Sequence, residues 1–340
     1  MIAIDIGTRN LHLVSGQVKG NRIIIDRMLT ETMAPGLVQD GIIREFSVLE
    51  TTIRNMLDKY KVKDKKCVIT INGGHIYSRE LEVPKASPKV LNNVIAFEVK
   101  NGMNVNNDVS VEYVTTRHQD PQKPNMLRVR ASAMQTDHIL DYAKLLKSVK
   151  LKPVAMDINP NAIVKLVNGR VINDLQTNGR NLMLFDIGAV TSTAYVISNQ
   201  EIAYTRIIPV GTMELERYCI KYNENKVPEE HLRLEDLDLS LAKLRENAAV
   251  GDIVRPLVIA LTDGFNRIQQ FIAGRIQGNP IDMVYIYGRG ATFAGFPETL
   301  KESFRTDVQL IEKLSDLNLP EKSVPAPYLN AIGALIRLKG

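Results

Sequence analysis

Apolar positions gather in short runs at the start of the chain. Ile2-Ala3-Ile4, Leu11-His12-Leu13-Val14 and Ile23-Ile24-Ile25 are parted by polar and glycine-bearing breaks. This spacing predicts three strands from residue 1 to about 32. The layout returns half a chain later as Leu182-Met183-Leu184-Phe185, then Thr193 to Ile197, then Ile202-Ala203-Tyr204. In each copy the first run closes on the same phrase, Asp5-Ile6-Gly7 and Asp186-Ile187-Gly188. A repeated three-strand meander predicts one domain design used twice around a shared cleft.

Between the copies the period changes. Leu49, Ile53, Met56 and Leu57 recur at helical spacing, predicting a helix from Ser47 to Tyr60. Val68 to Ile71 reads as a buried strand broken by Asn72-Gly73-Gly74. A strand over Ile76 to Val83, a helix over Pro88 to Lys100, strands over Val109 to Thr116 and Met126 to Met134, and a helix over Thr136 to Lys147 predict an inserted α+β unit. The segment His118 to Asn125 reads as its exposed hairpin tip, and Thr136 or Asp137 as the cap of its last helix. Pro153 to Asp157 returns to strand, and Asn161 to Val167 to helix.

After the second meander, helices are expected from Thr212 to Arg275. Pro256 is placed in a first turn, and Leu257, Leu261, Phe265, Ile268 and Ile272 form a core stripe. A strand over Met283 to Tyr287, a loop from Gly288 to Thr292, a helix from about Pro297 and a short apolar helix over Pro327 to Lys339 finish the pattern.

The expected fold is therefore α/β. A first half of residues 1–75 is rejoined by 154–180 and 325–340, an inserted module covers 76–153, and a second half covers 181–324 with a helical part at about 210–277. A chain of 340 residues suits such a division. The net charge of +5 is scattered, apart from Lys59, Lys61, Lys63, Lys65 and Lys66, which read as a solvated loop, so nucleic acid is not an expected partner. Cys67 and Cys219 lie far apart in apolar surroundings and read as core residues of a reducing compartment. Asp5 interrupts the first apolar run at once, and no run approaches the roughly 20 residues of a membrane span. The expectation is a cytoplasmic protein without a leader or a membrane anchor of its own.

Candidate chemistry sits at the repeated phrase. Glycine after a strand lets the chain turn tightly, and the amides that follow can face phosphate oxygens. An aspartate there can hold Mg²⁺, which makes Asp5 and Asp186 the candidate metal ligands. Gly7, Thr8, Arg9 and Asn10 beside the first copy, and Gly188, Thr191 and Ser192 beside the second, are candidate phosphate contacts. The loop Gly288-Arg289-Gly290, with Thr292 after it, has the small residues that let adenine and ribose lie on backbone. The five histidines are dispersed, and no Walker-type Gly-Lys-Ser, Gly-x-Ser-x-Gly or paired cysteines support another catalytic class.

These motifs resemble the actin-like ATPase superfamily, which implies two ribonuclease-H-like halves with Mg-ATP between them. In that pattern the segments around Asp157-Ile158-Asn159 and Asn330-Ala331-Ile332-Gly333-Ala334 are similar to the two helices that cross between halves. The runs Val94 to Glu98, Val111-Glu112-Tyr113 and Leu151 to Asp157 are similar to the FtsA-like branch, and within it to the PilM family of type IV pilus assembly proteins, along essentially the whole chain.

The resemblance implies an ATP-binding adaptor of a type IV pilus or related secretion machine. It implies a groove between the first half and the inserted module, walled by Ile76 to Val83 and the helix Pro88 to Lys100, that takes the N-terminal peptide of a PilN-like membrane protein. Pilus motor ATPases and a second copy of the chain are further implied partners, and recruitment to the inner face of the membrane would come through partners. Asp157 or Asn159 would position the attacking water; the other reading makes them Asx caps of the next helix. Arg9, Asn10 and His12 stand where relatives carry small hydroxyl residues and lysine, and Arg289 replaces a middle glycine, so ATP hydrolysis is expected to be weak or absent. An FtsA-like filament-forming ATPase and, behind it, a small-molecule kinase on the same scaffold are the alternatives.

Overall fold

A computed structural model of the chain describes residues 1–103, 108–117, 119–224, 226–274 and 281–337. The first meander is β1 (Ile2–Ile6), β2 (Asn10–Lys19) and β3 (Arg22–Thr32). A small hairpin of β4 (Val38–Gln39) and β5 (Ile42–Ile43) leads to α1 (Phe46–Lys59) and β6 (Lys66–Ile71). Then come β7 (Tyr77–Pro84), α2 (Pro88–Met103), β8 (Val109–Thr115), β9 (Met126–Gln135) and α3 (Thr136–Ser148). β10 (Lys152–Ile158), α4 (Asn159–Val167), β11 (Val171–Ile172) and β12 (Leu175–Gln176) precede the second meander. That meander is β13 (Leu182–Ile187), β14 (Ser192–Ser198) and β15 (Glu201–Ile208). The rest is α5 (Met213–Asn223), α6 (Leu241–Glu246), α7 (Ala248–Ala273), β16 (Met283–Tyr287), α8 (Phe296–Phe304), β17 (Val308–Leu310), β18 (Leu317–Asn318) and α9 (Leu329–Leu335).

Two sheets carry the duplication. One runs β10-β6-β1-β2-β3-β18 and the other β15-β14-β13-β16-β17. In each, the first meander strand pairs antiparallel with the next strand and parallel with a strand from later in its half: β1 with β2 and β6, β13 with β14 and β16. Alternation along these strands sorts the side chains. Ile2, Ile4 and Ile6 pack outward with α1 and α3, and Met183, Phe185 and Ile187 pack outward with α5, α7 and α8. The opposite faces enclose α4 and α9 between the sheets, where Ala162, Ile163, Leu166, Leu329 and Ile332 meet Ala3 and Val14 of one sheet and Leu184 and Tyr285 of the other. A Cβ at Gly333 would lie 2.1 Å from the Ala162 carbonyl oxygen, so glycine is what allows α9 to approach α4 so closely. Because period two puts alternate residues on one face, Asp5 and Asp186 both point inward, toward this layer.

Several expectations need correction. Pro256 lies inside α7, not in its first turn. Its ring is exposed, and Val250 and Val254 extend the buried stripe N-terminally, so packing outweighs the lost ladder bond. Neither Thr136 nor Asp137 caps α3; Gln135 holds the cap position without a side-chain bond, and the Thr136 amide donates to the Asp108 carbonyl. α3 also leaves the inserted unit's own core. The sheet β7-β9-β8 is covered by Leu91, Ile95 and Val99 of α2, whereas Tyr142, Leu145 and Leu146 of α3 join the first half's core. β18, read with the second half, pairs with β3 in the first sheet.

The helix predicted through Lys339 is a 3₁₀ turn, Ala326–Tyr328, followed by α9; its last residues, like Arg275 and His118, lie outside the described residues. Lys61, Lys63, Lys65 and Lys66 are exposed, as a solvated loop requires, and both cysteines are buried and free. No helix among the described residues is long and apolar enough to cross a membrane.

Candidate functional site

The two Asp-Ile-Gly turns face one another across the layer that holds α9, and one side chain joins them. The Asn330 carboxamide nitrogen donates to Asp186 Oδ2 at 2.8 Å and to Asp5 Oδ2 at 3.3 Å, while its oxygen accepts from the Tyr287 hydroxyl at 3.1 Å. Asn330 begins the second turn-crossing segment already singled out in sequence, yet only its fold role was read there; an asparagine amid Leu329, Ala331 and Ile332 on a buried face was the available signal.

Burial and the neighbouring Asp186 charge push the Asp5 carboxyl up to about 7. Burial pushes Asp186 up to about 6. Asn330 opposes both shifts by donating to the charged forms. Beside Asp186 the Tyr195 hydroxyl is buried next to the Thr193 and Tyr287 side chains, and burial pushes it well above the usual phenol range. Across from Asp5, Asn159 sets its carboxamide toward that carboxyl and accepts from Thr70 Oγ1 at 2.8 Å. Asn159 starts α4 with Ile158 as its cap residue, so it is no Asx cap. Asp157 instead ion-pairs with Lys165 and accepts from the Ile158 amide at 2.9 Å.

The mouth of the cleft is closed by a second pair. Arg9, just past the first turn, donates through Nε to both Glu216 oxygens at 2.9 and 2.7 Å; its Nη2 reaches Glu216 as well, and its Nη1 the Met33 carbonyl. Glu216 sits in α5, so this pair links the halves, as does Asn72 Nδ2 donating to Thr193 Oγ1 at 2.8 Å. Behind the pair lies a cavity of about 40 Å³ lined by Arg9, Asn10, Thr212, Glu216, Arg289 and Phe293. Arg289 has no acidic partner within ion-pairing distance among the described residues. Its charge helps hold His12 near 3, after burial, so that imidazole is neutral. His12 bonds Thr30 Oγ1 at 2.8 Å.

The structure thus joins Asp5 and Asp186 through Asn330 and sets Arg9, Asn10 and Arg289 around one cavity. Gly7, Thr8, Gly188 and Thr191 form the turns beside them, and Gly288 and Gly290 pack against the second turn: added Cβ atoms there would lie 2.5 Å from Asp186 Oδ1 and 2.6 Å from Ile187. Ser192 and Thr292 are otherwise engaged, donating to the Val210 and Arg289 carbonyls at 2.8 Å each.

The donor set fits a magnesium polyphosphate. Two carboxylates raised by burial are what a dication relieves, the Arg289 guanidinium at the cavity offers hydrogen bonds, and the glycine turns expose amides. Among the described residues no three His, Cys, Asp or Glu side chains form a metal cluster, so a dication held by Asp5 and Asp186 would take its other ligands from phosphate or water. The cavity beside Arg9 and Glu216 is itself smaller than the roughly 300 Å³ of an ordinary small-molecule site.

Comparison with known proteins adds the context. Residues 3–333 match the model of the family described as type IV pilus assembly protein PilM. Among solved structures, the chain is similar to one of a PilM-PilN type IV pilus biogenesis complex, with 17% identity, 98% of this chain and 97% of that one covered, and a TM-score of 0.76. It is also similar to the ethanolamine utilization protein EutJ from Carboxydothermus hydrogenoformans, with 14% identity, coverage of 98% and 88%, and a TM-score of 0.55. The architecture is that of the actin-like ATPases.

Proposed function

Because this chain belongs to the type IV pilus assembly protein PilM family, we propose that it is an ATP-binding adaptor of a type IV pilus or related secretion machine. In this reading it binds the N-terminal cytoplasmic peptide of a PilN-like membrane protein and is thereby held at the inner face of the membrane. The likeness of nearly the whole chain to the solved PilM-PilN complex is the observation that carries the reading. The peptide lies as an extended segment in the groove beside β7 and α2. Mg-ATP enters between the two Asp-Ile-Gly turns, where Asp5 and Asp186 hold the cation and Arg9 and Arg289 neutralise phosphate charge. Bound Mg²⁺ spreads the phosphate charge and draws both carboxyls into their ionised forms.

Turnover is slow in this account. Asp157 is engaged by Lys165, and a carboxamide, Asn159, faces the acidic pair where a base would be needed. The inserted module also touches the second half, since Arg117 bonds Gln200 and Glu201 in the β14–β15 turn. Parting of the halves therefore moves the module and reshapes the groove, which couples the two ligands.

Titration of this protein into a fluorescently labelled N-terminal peptide of the PilN-like partner, with and without Mg-ATP, tests the reading. Saturable anisotropy with a Kd that differs between the two conditions is the expected result. A flat signal in both removes the adaptor role.

A further inference from the structure

We propose that Glu216 is a built-in competitor for the phosphate of the ligand: it holds Arg9 across the mouth of the cleft, and an incoming nucleoside polyphosphate takes its place on the guanidinium and releases the two halves. The proposal rests on the nucleotide reading above and adds how that site is opened. Arg9 follows the Asp5-Ile6-Gly7 turn of one half, and Glu216 projects from α5 of the other. Nε engages both carboxylate oxygens at 2.7 and 2.9 Å, and Nη2 engages Oε1, so the whole edge of the guanidinium that would face phosphate is taken. Both side chains are largely withdrawn from water, at 16% and 20% exposed, where such a bond is screened little.

Charge and volume point the same way. Arg9 and Arg289 both line the cavity against the single carboxylate of Glu216, which leaves one cation unmatched and the site electropositive at its mouth. A cavity of about 40 Å³ admits a water or two, not a nucleotide. A ligand that reaches the Arg9 guanidinium from this cavity must displace Glu216 from it. A triphosphate offers Arg9 the same forked geometry with more charge than one carboxylate, so exchange of partners is favourable while the cleft is opening. Neutral ligands of similar size have nothing to offer Arg9 and are turned away.

The experiment uses the full chain and two readouts. Mg-ATP affinity is measured by calorimetry for the wild type, Glu216→Gln, Arg9→Gln and the double variant, and amide exchange over residues 5–10 and 186–191 is followed without nucleotide. Glu216→Gln keeps the shape of the side chain while removing its charge. It is expected to bind Mg-ATP about tenfold more tightly and to exchange faster in both turns. Arg9→Gln is expected to bind more weakly than wild type, and the double variant to match Arg9→Gln, because the competitor matters only while Arg9 is present. Wild-type binding with an unchanged Kd in Glu216→Gln overturns the proposal and leaves the nucleotide reading standing. Loss of Mg-ATP binding in every protein overturns the nucleotide reading itself, and the competition with it.

Discussion

The two Asp-Ile-Gly turns share a register and differ in how tightly they are built. Asp5 stands opposite His12 on one side and Thr70 on the other; Asp186 stands opposite Thr193 and Tyr287. The first turn is the less crowded of the two: a Cβ on Gly7 would come 3.1 Å from the Asn10 carbonyl oxygen, whereas one on Gly188 would come 2.4 Å from that of Thr191. The second turn is further hemmed by Gly211, whose Cβ would meet the Ala189 carbonyl oxygen at 2.3 Å, and by the Gly288 loop. The strand beside each turn also leads elsewhere. β6 runs into Asn72-Gly73-Gly74 and the inserted module, and β16 runs into the 3₁₀ turn Arg289–Ala291 and then α8. The same motif is thus more tightly packed in the second half than in the first, where it adjoins the strand that leads into the inserted module.

The sharpest way to break this comparison is to make the same substitution twice. Gly188→Ala should cost about 3 kcal/mol, since backbone must shift to accept the methyl group. Gly7→Ala should cost about 1 kcal/mol, because a few tenths of an ångström suffices. Urea denaturation of the two variants measures both; equal losses would erase the distinction between the turns.

The acids respond to pH differently. Asp5 titrates at about 7 and Asp186 at about 6 in the folded protein, above the ordinary 3.8. Between about pH 4 and 7 the folded state therefore keeps protons that the unfolded chain has released, so stability is fully present below that window and falls as pH rises through it. Each unit of pKa corresponds to about 1.4 kcal/mol, so the upper bound on the loss is roughly 4 kcal/mol at Asp5 and roughly 3 kcal/mol at Asp186. Asp5→Asn should flatten the decline in denaturation free energy from pH 5 to 8 more than Asp186→Asn does. A larger effect at Asp186 would reverse the order of the two sites.

Smaller still is the link between the halves at Asn72. Asn72→Ala removes its bond to Thr193 and should cost about 1 kcal/mol or less, with no change in the pH profile. A loss several times larger would mean that this bond, and not the Arg9–Glu216 pair, holds the cleft shut.

Much of this was legible in the chain. The duplicated meanders, the inward placement of Asp5 and Asp186, and most long elements follow from periods of two and 3.6 that packing enforces. β4, β5, β11, β12, β17 and β18 span two or three residues, too short to show any period, and exist because longer strands or turns hold them. The amphipathic stripe of α3 states that a face is buried, not against what, so its packing into the first half's core is not readable from it. Asn330, Glu216 and Tyr195 escaped for a related reason. Each completes the site from a distant part of the chain, 325 residues from Asp5 in the case of Asn330, and one sequence carries no record of such pairings.

In the reading proposed above, the two turns form the two sides of one nucleotide site. Calorimetric titration of Mg-ATP into the wild type, Asp5→Asn and Asp186→Asn tests it most directly. If both carboxylates face one ligand, each variant should lose about tenfold or more in affinity. Wild-type affinity in either variant would contradict a two-sided site.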